Sequence, residues 1–434
     1  MTKSLNDYLR NRENSEENKH TSLSSIDELS KYLKSFTFKE EQKNSSTKLE
    51  PKIIEKRTYT RFINEFWTSK QRQASSVHEV SYRACFKPQL PAFFIKKLTS
   101  KNDVIYDPFS GRGTTVLEAG LLGRNIIQND INPLSKILLY PRFFVPKIAD
   151  LKERLESIKV DTTATSDIDL IMFYEKQTLQ EILAIRSYLQ ERKESNTADE
   201  LDTWIRMIAT NRLTGHSTGF FSVYTLPPNQ AVSQESQKKI NEKRNQKPGY
   251  RNTREIILKK SRSLIKRLTN EERVNLRKAG EKGLFLTKDA TLTPEITDNT
   301  VKLTVTSPPF LDIVQYAKDN WLRCWFNDID MKEVEKNITM AKTIEDWSKT
   351  MSDVFTELYR ITKPGGWVAF EVGEVRKGKY NLDEYVVPIG IEQGFVCAGI
   401  LINEQEFTKT ANIWGIENNK RGTNSNRIAI FRKE

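Results

Sequence analysis

Two short stretches of this 434-residue chain combine residue types and spacing that can do chemistry. The first is Ser307-Pro308-Pro309-Phe310, which closes the apolar run VKLTVT. Consecutive prolines fix φ and offer no N–H, so they stop a strand and present the Ser307 hydroxyl and the Pro308 carbonyl in a rigid turn. Two such acceptors can hold both hydrogens of an exocyclic amino group. Its lone pair is otherwise delocalised into the ring, and the clasp draws the nitrogen towards tetrahedral geometry as an electrophile arrives, with Phe310 placed to stack on the base. A plain strand terminator has the same tetrapeptide. The second stretch is DPFSGRGTT, residues 107–115, at the end of the apolar run DVIYD. Gly111 and Gly113 let the backbone turn sharply and approach a ligand closely before a helix opens near Thr114. Seventeen residues past Gly113, at the end of NIIQN, stands Asp130. A carboxylate there can accept hydrogen bonds from both hydroxyls of a ribose. A glycine pair alone also marks an ordinary strand-to-helix turn, but no Walker lysine follows this one, which favours an adenosine-type ligand over a cradled phosphate.

The elements that must position these stretches alternate between strand and helix patterns. FKPQLPAFFIKKL leads into DVIYD, and DVIYD, the glycine turn and VLEAGLLGRNIIQND read as strand, loop, helix and strand. The rhythm resumes at KGLFLTKDA and runs through VKLTVTSPPF, the amphipathic stretch 347–361, WVAFEV, GFVCAGILI and NRIAIFRK. Such alternation predicts an α/β fold, a mostly parallel sheet flanked by helices. Residues 1–57 are polar and are expected to be a mobile tail, with 26–36 capable of an amphipathic turn or two. The first part of the α/β domain is then 58–144, a mainly helical and basic insertion 145–283, and the second part 284–434.

Composition narrows the classes. Hydrophobic residues are 37% and charged residues 29% of the chain, and no apolar run nears the ~18 residues of a membrane span. The first twenty residues lack the apolar core of a secretory signal. Three cysteines make no disulfide framework and, with three histidines, no metal spacing. The expectation is a cytoplasmic protein with an organic cofactor and no metal. The formal charge of +12 is concentrated: residues 238–278 hold 15 Lys and Arg against 4 Asp and Glu. That run, with Lys243, Arg244, Lys247, Arg251 and Arg254, can neutralise phosphates, although a solvated helix face has the same composition. It follows the aromatic, turn-rich GHSTGFFSVYTLPPNQ, whose His216, Phe220 and Tyr224 can reach a base or groove.

DPFSGRGTT resembles the S-adenosylmethionine loop of DNA amino-methyltransferases, DPFxGxGTT, at every fixed position, and FKPQL resembles that family's KPxxL segment. The resemblance implies a Rossmann-like methyltransferase fold. It also implies a cofactor pocket in which Lys87 and Pro88 close over the methionine end, Asp107 lies near the ammonium, Phe109, Gly111, Gly113, Thr114 and Thr115 form the loop, Asp130 holds the ribose and Asp289 faces the adenine. The Ser form of the family's [DNS]PP[YFW] element is associated chiefly with cytosine N4, with adenine N6 the nearest alternative and an RNA amino group another. Methylation at cytosine carbon 5 needs a cysteine nucleophile, typically after a proline, and none of Cys85, Cys324 and Cys397 follows one. The implied partner is double-stranded DNA, bound in the nucleoid, with a restriction endonuclease acting separately. A non-catalytic nucleic-acid-binding subunit is the reading from another class. The order KPxxL, glycine loop, insertion, SPPF departs from the commonest arrangement of Ser-type enzymes, which leaves target recognition by the insertion open.

Overall fold

The computed structural model describes residues 22–40, 43–68, 74–82, 85–226, 231–309, 316–337, 341, 343–375, 380–408 and 421–434. Helix α1 (Ile26–Ser35) starts at Ser25, whose side chain accepts from the Glu28 backbone N–H, and it buries Leu29 and Leu33. A hairpin of β1 (Thr37–Glu40) and β2 (Lys43–Ser46) follows, then an antiparallel pair of β3 (Lys48–Ile54) and β4 (Arg57–Asn64). The segment that carries the glycine loop comprises α2 (Gln89–Leu98), β5 (Val104–Asp107), α3 (Thr114–Leu121) and β6 (Asn125–Asn129). The short α4 (Leu134–Leu139) leads into a helical body of α5 (Ile148–Ser157), α6 (Lys176–Glu194), α7 (Glu200–Arg212), α8 (Gln234–Lys243) and α9 (Thr253–Ile265). After α10 (Asn270–Lys282) come β7 (Leu284–Leu286), β8 (Val301–Thr306), α11 (Tyr316–Asn327), α12 (Met331–Asn337), α13 (Ile344–Ile361) and β9 (Thr362–Val372). The chain ends with β10 (Glu374–Val375), β11 (Tyr380–Asn381), α14 (Asp383–Glu392), β12 (Val396–Thr408) and β13 (Arg421–Arg432).

Nine strands form one sheet in the order β3-β4-β12-β13-β9-β8-β5-β6-β7. The run β9-β8-β5-β6-β7 is parallel throughout, and β13 is reversed against both its neighbours. Alternate residues serve opposite faces, as strand geometry requires. Ile105, Leu303, Val305, Trp367 and Ala369 pack with residues of α1, α2, α3 and α10, while Tyr106, Val368, Phe370 and Phe431 pack under α13 and α14. With helices on both faces and this strand order, the molecule has the Rossmann-like methyltransferase fold. No helix among the described residues is long and apolar enough to cross a membrane.

Two boundaries differ from the sequence expectation. Residues 22–57, expected as a mobile tail, contribute α1 to the core and an edge hairpin to the sheet. Their polar composition reflects the solvated face of an edge: β3 alternates exposed and half-covered positions before Ile54 is buried. Arg61 on β4 anchors this edge through an ion pair of 2.9 Å to the buried Asp383 of α14. The other difference is α10, expected within the insertion. Its Leu276 and Ala279 lie in the core beneath the sheet, and Asn275 Nδ2 donates to the Leu121 carbonyl at the end of α3. It is the crossover helix between β6 and β7. The remaining helices have their own core around Trp204, Ile208, Ile257 and Phe173, to which α11 adds Leu322 and Phe326. Trp204 Nε1 donates to Ser261 Oγ at 2.9 Å, so the buried indole is satisfied.

Candidate active site

Strands β5 and β8 are parallel neighbours, with Ile105 opposite Leu303 and Tyr106 opposite Thr304. They are also where the strand order turns back on itself, since β6 and β7 lie to one side of β5 and β8 and β9 to the other. Ligand crevices in open α/β sheets form at the carboxyl ends of strands at such a switch point. The glycine loop leaves the end of β5 and the Ser-Pro-Pro turn leaves the end of β8, so both open into one crevice. Two hydrogen bonds tie them together: Thr306 Oγ1 donates to Asp107 Oδ1 at 2.7 Å, and Thr115 Oγ1 donates to the Val305 carbonyl at 2.9 Å.

The loop itself is held by Asp130 at the end of β6. Its Oδ2 accepts from the Gly111 N–H at 2.7 Å and its Oδ1 from the Asn132 N–H at 2.8 Å. Gly111 and Gly113 have φ of 52° and 77°, in the left-handed region that side chains other than glycine rarely adopt. A side chain at Gly113 would also run into Leu139 of α4. Tyr82 and Cys85 roof the loop, 3.5 and 3.6 Å from where a Cβ on Gly111 would stand. Phe109 is half-buried, its N–H bonded to Asp107 Oδ1 at 3.2 Å. Thr114 Oγ1 accepts from Arg112 Nε at 3.2 Å. Pro88 caps α2, with the half-buried Lys87 before it, and burial pushes the Lys87 ammonium down from its ordinary range.

The electrostatics of this crevice are one-sided. Burial raises the Asp107 carboxyl to about 7 and the Asp130 carboxyl to about 6, and the hydrogen bonds each accepts offset only part of that rise. Neither carboxylate has a basic ion-pair partner among the described residues. Two buried carboxylates without a cation, beside a loop that accepts no side chain, suit a ligand that brings positive charge together with ribose hydroxyls. The residues present therefore fit S-adenosylmethionine, with Asp107 for its ammonium and Asp130 for the ribose.

At the other side of the crevice, Ser307 is half-buried and Pro308 buried, and the Pro309 carbonyl accepts from Trp347 Nε1 of α13 at 3.0 Å. That bond fixes the turn. Phe310 lies outside the described residues. The Glu371 carboxylate, near the end of β9, sits within hydrogen-bonding reach of the Ser307 hydroxyl and accepts from Asn426 Nδ2 at 2.9 Å. Burial raises its pKa against the pull of those two bonds. The signal was available: WVAFEV is an apolar strand broken by one acid, and β9 pairs in parallel with β8.

Other candidates stand apart. Asp289 is exposed after β7, and its Oδ1 accepts from the N–H and the hydroxyl of Thr291, both at 2.9 Å, so it caps its own turn. The tie between β6 and β7 is made instead by Asn129, whose side chain exchanges two bonds of 3.0 Å with the Lys288 backbone. Trp321 and Trp325 of α11 donate to the Val232 carbonyl and to Asp167 Oδ1 and thus pack against the insertion.

In the insertion, His216 is exposed and its ring lies 6.1 Å from that of Phe220. The Arg244 guanidinium stacks 3.8 Å over Tyr224. Lys243 and Lys247 are exposed, Arg254 donates to the Ile158 carbonyl at 2.6 Å, and the half-buried Arg251 is tied through its backbone to Thr178 Oγ1 at 2.7 Å.

A model of the DNA methylase family matches residues 9–136, the stretch that carries the glycine loop and Asp130. Over that stretch, under a third of its length, the chain is similar to the DNA methylase family. It is 26% identical over 347 residues to the Type II methyltransferase M.BsoBI of Geobacillus stearothermophilus, covering 72% of this chain and 65% of that protein. Over 88 residues it is 33% identical to the Type II methyltransferase M.MjaII of Methanocaldococcus jannaschii, covering 20% and 17%. The chain thus spans about two thirds or less of these relatives' lengths. Among solved structures, the rRNA methyltransferase AviRa from Streptomyces viridochromogenes aligns over 85% of this chain and 94% of its own, at 11% identity and a TM-score of 0.33.

Proposed function

We propose that the chain transfers a methyl group from S-adenosylmethionine to the exocyclic N4 of cytosine in double-stranded DNA, as a site-specific modification enzyme. The observation that carries this reading is the shared crevice at the switch point, where the glycine loop and Ser307-Pro308 are stitched by the Thr306–Asp107 bond of 2.7 Å. Bound there, the cofactor supplies a methyl on a sulfonium, which is electrophilic without further activation. The protein's part is positioning, the largest entropic share of such a reaction. Ser307 Oγ and the Pro308 carbonyl accept the two amino hydrogens and hold the nitrogen lone pair towards the methyl. Transfer of that methyl to the amino nitrogen would leave the nitrogen with one proton to lose. Ser307 passes it to Glu371, whose raised pKa suits a carboxylate that must take a proton and release it to water. A base inside a duplex cannot enter this crevice, so the target is flipped out at a cost of a few kcal/mol.

Protection of host DNA from a separately acting endonuclease is the biological setting this reading supplies. The test is nucleoside mass spectrometry, with modification-sensitive sequencing, of DNA from a host expressing the chain. N4-methylcytosine at one short sequence is the expected result. N6-methyladenine in its place would transfer the same mechanism to adenine, and methylated RNA with unmodified DNA would overturn the substrate assignment.

A further inference from the structure

Three adjacent strands end alike on one face of the sheet. On β8, the core residues Leu303 and Val305 are followed in the alternation by Ser307, and on β9 Trp367 and Ala369 are followed by Glu371. On β13, which runs the other way, Ile430 and Ile428 are followed by Asn426. Leu303 lies opposite Trp367, Val305 opposite Ala369 and Ile428 opposite Glu371, so the register brings the three polar residues to one rim. The period of two puts them on the face of the apolar residues before them. It is the rim on which the Ser-Pro-Pro turn opens into the crevice.

Glu371 is the costly member of the three. It is only 9% exposed and forms no ion pair among the described residues, and a carboxylate so placed is tolerated only when hydrogen bonds satisfy it. Two donors do so, the Ser307 hydroxyl within reach and Asn426 Nδ2 at 2.9 Å from Oε1. A carboxylate only accepts, so the Asn426 amide must present its nitrogen. The terminal torsion of a glutamate is otherwise broad and roughly two-fold, and the bond from the neighbouring strand narrows it to one setting. That setting leaves the remaining lone pairs to Ser307.

We propose that Asn426 is a positioning residue for methyl transfer, holding the Glu371 carboxylate against Ser307 so that the proton lost by the target amino group meets an acceptor already in place. This rests on the methyl-transfer reading above and adds the residue that orients its proton acceptor. The proton balances along this route: the Ser307 oxygen takes it from nitrogen as the hydroxyl's own proton passes to Glu371, and the carboxyl then gives that proton to water. Serine and carboxylate are both restored. Asn426 is assigned no contact with cofactor or base, so its loss belongs in turnover and not in binding.

The test is a double-mutant cycle on the full chain with Asn426→Leu, Glu371→Gln and the double variant, read as kcat and KM with tritiated S-adenosylmethionine and unmodified genomic DNA. Glu371→Gln should lower kcat about 100-fold, the ordinary share of a positioned proton acceptor. Asn426→Leu, which keeps the volume and loses the donor, should lower it about 10-fold with both KM values within about twofold of wild type. In the Glu371→Gln background the same change should cost no more than about twofold, because no carboxylate is left to orient. Asn426→Gln, with the amide retained, should keep more turnover than Asn426→Leu. Calorimetric cofactor affinity and the melting temperature establish that each variant is folded, and Asn426→Ala takes the place of a leucine variant that is not. Unchanged kcat in either folded single variant, or losses that multiply in full in the double variant, would overturn the role while leaving methyl transfer intact. A rise in KM without a fall in kcat would overturn it too, by placing Asn426 in binding. A wild type that transfers no methyl group to DNA would instead sink the reading on which the role rests.

Discussion

The crevice at the sheet edge and the seam of the insertion are electrostatic opposites. In the crevice, Asp107 and Asp130 are buried carboxylates with pKa values raised to about 7 and about 6 and no ion-pair partner among the described residues. In the seam, Arg212 and Lys260 are covered cations with pKa values depressed to about 10 and about 8, neither in an ion pair among the described residues, although Glu79 acts on Lys260 from a distance. Each region pays for its burial alone and is relieved by a ligand of the opposite sign. The difference teaches how one chain can separate a cationic methyl donor from a polyanionic substrate: each ligand finds charge complementarity in its own region and repulsion in the other.

The comparison breaks first at the glycine loop. Gly111→Val forces a branched side chain to a φ of 52° and points it at Tyr82 and Cys85 above the loop. Strain of this kind costs about 1–3 kcal/mol even before the ligand is displaced. Calorimetry should show cofactor affinity reduced by at least ~100-fold, with duplex affinity unchanged because the seam is untouched. Retained cofactor binding would mean the crevice does not hold it.

Next is Ser307→Ala. It removes one acceptor for the amino group and the group through which Glu371 is reached, so turnover should fall on the order of 100-fold or more. Cofactor affinity should stay within twofold, since no atom of Ser307 is assigned to that ligand. Equal losses in both would show that the hydroxyl supports the pocket and not the reaction.

A smaller effect is expected from pH. Asp107 and Asp130 have native pKa values above the ~3.9 of an unfolded chain, so between about pH 4 and 7 the native state holds more protons than the unfolded one. Stability of the free protein should therefore fall as pH rises through that window, while affinity for the cationic cofactor should rise. Asp107→Asn keeps an acceptor for Thr306 and Phe109 yet cannot ionise. Its free form should melt several degrees higher than wild type at pH 7.5 by differential scanning fluorimetry and bind the cofactor more weakly. A lower melting temperature would show that the ionised carboxylate is already compensated.

How much of this contrast was legible in the sequence depends on which region is considered. The crevice was largely readable because its chemistry lies in contiguous turns: prolines and glycines restrict φ wherever they occur, and apolar runs before them announce the strands. Glu371 was missed because its partner, Ser307, is reached across a sheet and not along the chain. Asp289 was placed by analogy, and the local turn made with Thr291 is invisible to spacing. The edge hairpin escaped because half its residues face water, which makes an edge strand look like a tail. In the insertion the charge run located the basic surface. It could not show that Arg254 is committed to the Ile158 carbonyl, or that Arg212 is spent on Asn211 beneath the Phe220 ring.

That last distinction between exposed and seam cations gives the smallest expected effect. Lys243 and Lys247 are exposed on or just after α8 and have no ion pair among the described residues. If they contact phosphates, Lys243→Gln should weaken random-sequence duplex binding only a few-fold at 100 mM KCl and lower the salt slope by about 1. Turnover at saturating duplex should be unaffected, since neither side chain is assigned to the cofactor or the reacting amino group. An exposed lysine that changes turnover but not the slope would place α8 against the reacting base and erase the division between the two regions.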